Sequence, residues 1–218
     1  EGAKIPQPPV AKRAVLVGTA ISPGQPDEKD DGTVVHTLWG DMAWQLLGKK
    51  GYALVKEADE KGVSPGSKVL VELFRKCGSA LVLIDEWVAY LRQFHEGIRL
   101  PGGTLESNLT FVQSLTEAAK SVADALLVAS LPESDIEIGG EYGQKALEML
   151  KNIFGRIESP WRPASAEESF EIVRRRLFEP LVWDASYKER DLTARAFSEL
   201  YQSQSNEFPS ECSKLDYE

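Results

Sequence analysis

Ala80-Leu81-Val82-Leu83-Ile84-Asp85-Glu86-Trp87 decides the fold: five apolar residues run without polar alternation into two adjacent carboxylates. A run of that kind reads as a strand buried on both faces, as in the middle of a parallel sheet covered by helices. Ligands of open α/β sheets bind in the crevice outside the carboxyl ends of the strands, so Asp85 and Glu86 are expected where chemistry is done. The same two acids have a plainer use. An Asp at a strand end caps a following helix by accepting its N–H groups, and a Glu in a first helical turn is favoured by the macrodipole.

Working outward, two further runs have the same character. Ala14-Val15-Leu16-Val17-Gly18 lies upstream, and Asp124-Ala125-Leu126-Leu127-Val128-Ala129-Ser130 lies downstream and ends in a hydroxyl. Between the three runs, apolar residues recur at helical spacing over Thr37 to Leu47, Tyr52 to Lys61, Ser67 to Lys76, Trp87 to Phe94 and Thr104 to Val122. Gly48 and Gly51 bracket the end of the first helix, Ser64 or Ser67 caps the third, and Ser22 to Gly32 reads as a surface loop. Strands joined by helical crossovers predict a parallel sheet with right-handed connections in a three-layer α/β sandwich. Residues 1–163 form the core on this reading, and 164–218 form a helical segment, the start of a lid. Arg174-Arg175-Arg176 reads as a solvated helical face opposite Glu167, Glu168 and Glu171, ahead of a phosphate-binding or interaction patch.

Composition narrows the function. With 42% hydrophobic and 27% charged residues the chain is globular, and its formal charge of −9 argues against a broad grip on nucleic acid or an anionic membrane. Cys77 and Cys212 lack metal-ligand spacing and read as reduced thiols of a cytoplasmic protein. No run approaches the length of a membrane span.

The Leu83-Ile84-Asp85-Glu86 end resembles the Walker B strand of P-loop ATPases, in which the first acid serves the Mg²⁺ of a bound nucleotide and the second the attacking water. In ATPases of the AAA+ type the next strand ends in a small polar residue that senses the γ-phosphate, and Ser130 stands in that place. An arginine near the end of the following helix reaches the nucleotide of a neighbouring subunit; Arg156 matches by position, with Arg162 as the substitute. Each of these has an ordinary surface reading beside it.

Four phrases carry a closer resemblance: Val17-Gly18-Thr19-Ala20-Ile21-Ser22-Pro23-Gly24-Gln25-Pro26, Asp31-Gly32-Thr33-Val34-Val35-His36-Thr37-Leu38-Trp39-Gly40, Leu83-Ile84-Asp85-Glu86-Trp87-Val88-Ala89-Tyr90 and Ser159-Pro160-Trp161-Arg162-Pro163-Ala164-Ser165. Taken together over nearly the whole chain, they resemble the large prokaryotic ATPases of the family named domain of unknown function 499. The resemblance implies an AAA+-like core that binds ATP with Mg²⁺. It also implies company with DNA-methyltransferase-like and helicase-like proteins in gene clusters suspected of antiphage defence. Asp85 would serve the metal, Glu86 the water, Ser130 the γ-phosphate and Arg156 a neighbour's nucleotide.

One part of that chemistry is missing. No G-x-x-x-x-G-K-[ST] occurs in the 218 residues, so neither the glycine-rich loop that cradles phosphates nor its lysine is here. The family resemblance puts that loop upstream of Glu1, on the sheet's first strand. The chain is therefore expected to be a piece of a longer ATPase, inactive alone, with its own longer polypeptide as its main partner and further copies of itself as another candidate. The alternative is a non-catalytic interaction module on a P-loop-derived fold. A nucleic-acid-binding domain is a third reading, disfavoured by the charge.

Overall fold

A computed structural model describes residues 10–95, 97–132, 138, 140–154, 166–177, 188–204 and 206–208. The chain divides into two compact units, Glu1–Ser159 and Pro160–Glu218.

The first unit is built on the three apolar runs. They form strands β1 (Lys12–Val17), β4 (Ala80–Asp85) and β5 (Ala125–Ala129), all parallel, in the order β1-β4-β5. In that register Ala14, Val82 and Leu127 lie side by side, and so do Val15, Leu83 and Val128. Parallel neighbours share a face, so the two rows belong to opposite sides of the sheet.

Those sides have different fates. Ala14, Leu16, Ala80, Val82 and Ile84 are buried in a core with residues from α1 (Leu38–Leu47), α2 (Lys49–Lys61), α3 (Ser67–Cys77), α4 (Trp87–Leu91), α5 (Leu105–Ser121) and α6 (Glu141–Phe154). On the other side Val15, Leu126 and Val128 are 47%, 59% and 43% exposed, and Leu81 and Leu83 are half-buried. The expected burial of β4 on both faces therefore holds only in part: among the described residues one face of the sheet is covered and the other is partly open. Apolar composition on both faces records what the strand could bury, not what covers it.

Local signals explain most element ends. Thr37 caps α1 by accepting from the Gly40 N–H at 3.0 Å, and Thr104 caps α5 in a reciprocal capping box with Ser107. Gly62 closes α2 in the left-handed region. The third helix departs from expectation, since its N-cap is Gly66 and no side chain caps it. Gly51 is not a helix end but a buried residue inside α2, where an added Cβ would lie 2.1 Å from the Ala43 carbonyl oxygen. The turn α1–Gly48–α2 closes only because the two helices touch at that glycine. The helix after β4 stops at Leu91 rather than at Phe94. The loop after β1 holds a two-residue antiparallel ribbon, β2 (Asp27–Glu28) against β3 (Val34–Val35).

Two polar devices join these elements. The Gln45 side chain of α1 donates to the Val15 carbonyl at 3.0 Å and accepts from the Val15 N–H at 2.8 Å, so it pairs with the outer edge of β1 as a strand would. Asp59 of α2, 0% exposed, anchors the start of α1. It accepts from the Thr37 N–H at 2.9 Å, the Thr37 hydroxyl at 2.5 Å and the Tyr52 hydroxyl at 2.9 Å. Gly40 is needed there, because a Cβ would meet Asp59 Oδ1 at 2.1 Å.

The second unit contains α7 (Ala166–Leu177) and α8 (Lys188–Ser203). Arg174, Arg175 and Arg176 are exposed as expected, but Glu171 pairs with Arg174 at 2.6 Å and Arg175 at 2.7 Å, so those two arginines lie beside that acid rather than opposite it.

Candidate functional site

The site lies at the C-terminal edge of β4 and β5. The last residue of β4 is Asp85, and the chain leaves β5 at Ser130, whose N–H donates to the Ile84 carbonyl at 2.9 Å and extends the ladder by one step. That step brings the Ser130 side chain to the end of β4, where its hydroxyl donates to Asp85 Oδ1. By strand alternation both side chains belong to the row that continues the open face.

Glu86 follows in a conformation that side chains avoid. Its φ of 56° and ψ of 35° are left-handed, and it is the one non-glycine residue with positive φ among those described. Three contacts hold it. Its N–H lies 3.1 Å from Asp85 Oδ1 and 3.3 Å from Ser130 Oγ, and its carbonyl accepts from the Tyr90 N–H at 3.3 Å. Behind it Trp87, Val88, Tyr90 and Leu91 are all buried, so the turn is anchored from its downstream side.

Gly18 closes the other flank. Its N–H donates to the Asp85 carbonyl at 2.8 Å, and a Cβ there would lie 2.0 Å from the Glu86 carbonyl oxygen. Only glycine lets the end of β1 pass this close. From sequence, Gly18 reads as no more than the end of a strand; its one signal is that it directly follows the β1 run.

The capping use of the two acids is not what the geometry shows. Glu86 is the N-cap of α4 and its side chain makes no capping bond, while Asp85 accepts from Ser130 and from the next residue's N–H rather than from the helix. Both carboxylates are exposed at the sheet edge. The structure thus brings together Asp85, Glu86 and Ser130; Arg156 and Arg162 lie outside the described residues. Among the described residues no cluster of three or more His, Cys, Asp or Glu gathers as a metal cage.

A model of the DUF499 N-terminal domain matches residues 10–160, more than half of the 218. The chain belongs to that family. The match to the DUF499 N-terminal domain takes in Gly18, Asp85, Glu86 and Ser130 and all of β1 to β5, and stops at the end of the first compact unit. No curated protein and no solved structure matches the chain. No described helix is long and apolar enough to cross a membrane.

Proposed function

We propose that this DUF499 domain carries the acid half of an ATP-hydrolysing site in an AAA+-like P-loop protein of the cytoplasm. The observation that carries the reading is the Asp85–Ser130 hydrogen bond beside a left-handed Glu86, at the C-terminal edge of a parallel sheet. That edge is where α/β sheets bind ligands. A strained residue with an exposed acid, held by backbone contacts on both sides, is the kind of strain that marks functional turns.

The donor set fits a magnesium nucleotide. Asp85 and Ser130 offer hard oxygen ligands without enclosing an ion, as suits a metal that keeps several waters and is held largely by phosphates. When bound, the metal neutralises charge on the transferred phosphoryl group. Asp85, aligned by Ser130, would orient that ion through its water shell. Glu86, its carboxylate directed by the left-handed turn, would position a water and accept its proton. Ser130 would also offer its hydroxyl to the phosphate end, and Arg156 would act on a neighbour's nucleotide in an assembly. The phosphate-binding loop would come from a strand added outside β5, whose outer edge is unpaired among the described residues.

The test compares this chain with a polypeptide extended upstream through the expected loop. Calorimetry should give no tight Mg-ATP binding to the 218 residues and tight binding to the longer chain. In the longer chain Glu86→Gln should keep binding and lose most turnover, because an amide holds hydrogen bonds but is no base. Full turnover in that variant would overturn the reading. The open apolar face of Val15, Leu126 and Val128 favours a second reading, a non-catalytic interaction module. It predicts that the longer chain binds no ATP at all.

A further inference from the structure

The cleft at the start of α1 holds a histidine that the nucleotide reading leaves unused. His36 follows β3, and its Nδ1 lies 2.8 Å from Asp59 Oδ2. Its own backbone N–H points to the same carboxylate at 3.1 Å. A carboxylate only accepts, so Nδ1 carries the proton that faces Asp59. In the neutral imidazole Nε2 then presents a lone pair, and it has no partner among the described residues. A buried carboxylate has set the direction and tautomer of a side chain that is itself 28% exposed.

His36 lines a cleft of about 250 Å³ with apolar walls from Ile21, Pro26 and Val35 and with Asp27 and Asp41 among its polar groups. Lys29 pairs with both acids, at 2.6 and 2.7 Å, and lies 5.2 Å from the centre of the Trp44 ring, so its charge is already engaged. The second Asp41 oxygen accepts from Gln45 at 3.1 Å. Among the side chains that line it, His36 Nε2 and the Asp27 carboxylate, 67% exposed, are the strongest acceptors open to an occupant, with the oxygens of Ser22 and Gln25 beside them. An anion would meet two acids there and no free cation.

We propose that this cleft receives a guanidinium group, with its methylene stem along Ile21, Pro26 and Val35 and its N–H groups donated to His36 Nε2 and Asp27. A planar fork with five donors suits two separate acceptors better than a point-like ammonium does, and a long stem suits apolar walls. The cleft begins two residues past Gly18, beside the C-terminal end of β1, but its lining shares no residue with Asp85, Glu86 and Ser130, so either reading can fail without the other.

Amide NMR of the 218-residue chain tests it, by titration with N-acetylarginine amide, its uncharged isostere N-acetylcitrulline amide, agmatine and inorganic phosphate. The expected result is shifts at Ile21, Asp27 and His36 with the arginine probe, binding at least about tenfold weaker with the citrulline probe, and none with phosphate. Asp27→Asn, at an exposed position, should weaken arginine binding about tenfold. His36→Asn should do the same with the fold intact, because its amide N–H can replace Nδ1–H toward Asp59 while the Nε2 end is gone. Tighter binding of the arginine amide than of agmatine assigns the guanidinium to a protein side chain; the reverse assigns it to a free guanidine, and both support the site. Equal binding of the arginine and citrulline probes, shifts centred elsewhere, no shifts, or phosphate binding would overturn it.

Discussion

Glu86 should be worth less to the fold than the glycine that could replace it. At φ 56° and ψ 35° a side chain costs roughly 1–2 kcal/mol against the right-handed region. Glycine escapes that cost but gives up about 0.5–1 kcal/mol more backbone entropy on folding. The useful comparison is Glu86→Gly with Glu86→Ala, since both delete the carboxylate and only alanine keeps the Cβ. Glycine should come out ahead by roughly 0.5–1 kcal/mol. In a unit of this size that is a rise of about 1–4 °C in the melting midpoint. Thermal unfolding of the two variants reads the difference directly, and phosphate release in the extended chain should be lost in both. Stability gained where turnover is lost is the mark of a residue kept for chemistry. An alanine variant as stable as the glycine one would show that the left-handed turn carries no strain, and the argument from strain to function would fall.

Other substitutions probe the contacts around that turn. Gly18→Ala should destabilise by about 1–3 kcal/mol or more, because backbone meets the new Cβ at 2.0 Å, with a lower urea midpoint at unchanged slope. Gln45→Ala removes the pairing of the β1 edge and should cost about 1–2 kcal/mol, with more association in light scattering. Tyr52→Phe loses the hydrogen bond to Asp59 and should cost about 1.5–3 kcal/mol. Tyr90→Phe should be neutral or stabilising, because the buried Tyr90 hydroxyl has no partner among the described residues. Burial, reinforced by Asp59, pushes both tyrosine hydroxyls well above their ordinary range. Their folded values being raised, the stability they contribute is complete below about pH 10 and is lost as pH rises beyond it. The urea midpoint should fall there, and the double Phe variant should flatten that fall.

What the sequence carried was mostly local or periodic. Three uninterrupted apolar runs gave the strands, their helical separation gave parallel pairing, and Thr37 and Thr104 gave the helix starts. Asp85 and Ser130 could be put on one edge because parallel strands end on one side. The misreadings share a cause, which is that a neighbour decides the outcome. Gly51 has the look of a helix end until α1 presses against it. The β2–β3 ribbon is too short to show a period, since two residues make half an alternation on each side. Asp59 reads as one more charge on a polar helix. Its only sequence signal is Tyr52, two turns earlier on the same face, which becomes its hydrogen-bond partner.

The open face of the sheet constrains what can cover it. Val15, Leu126 and Val128 are each about half exposed, so covering them would contribute roughly 2–4 kcal/mol at about 1.5–3 kcal/mol per fully buried side chain. The half-buried Leu81 and Leu83 add a smaller amount. A free partner must first overcome about 4–15 kcal/mol of lost translational and rotational freedom, which this patch alone does not offset. A segment tethered to the same polypeptide meets no such cost in full, because its effective concentration is already in the millimolar range for a short linker. By itself the apolar side of β1, β4 and β5 is therefore better suited to a layer of its own polypeptide, and an interaction module would need surface beyond it to hold a diffusing protein. Asp85 and Ser130 stand at the end of that same side. A strand and helix arriving there, in the proposed assembly, would cover the apolar row and bring a phosphate-binding turn to the two oxygens in one step.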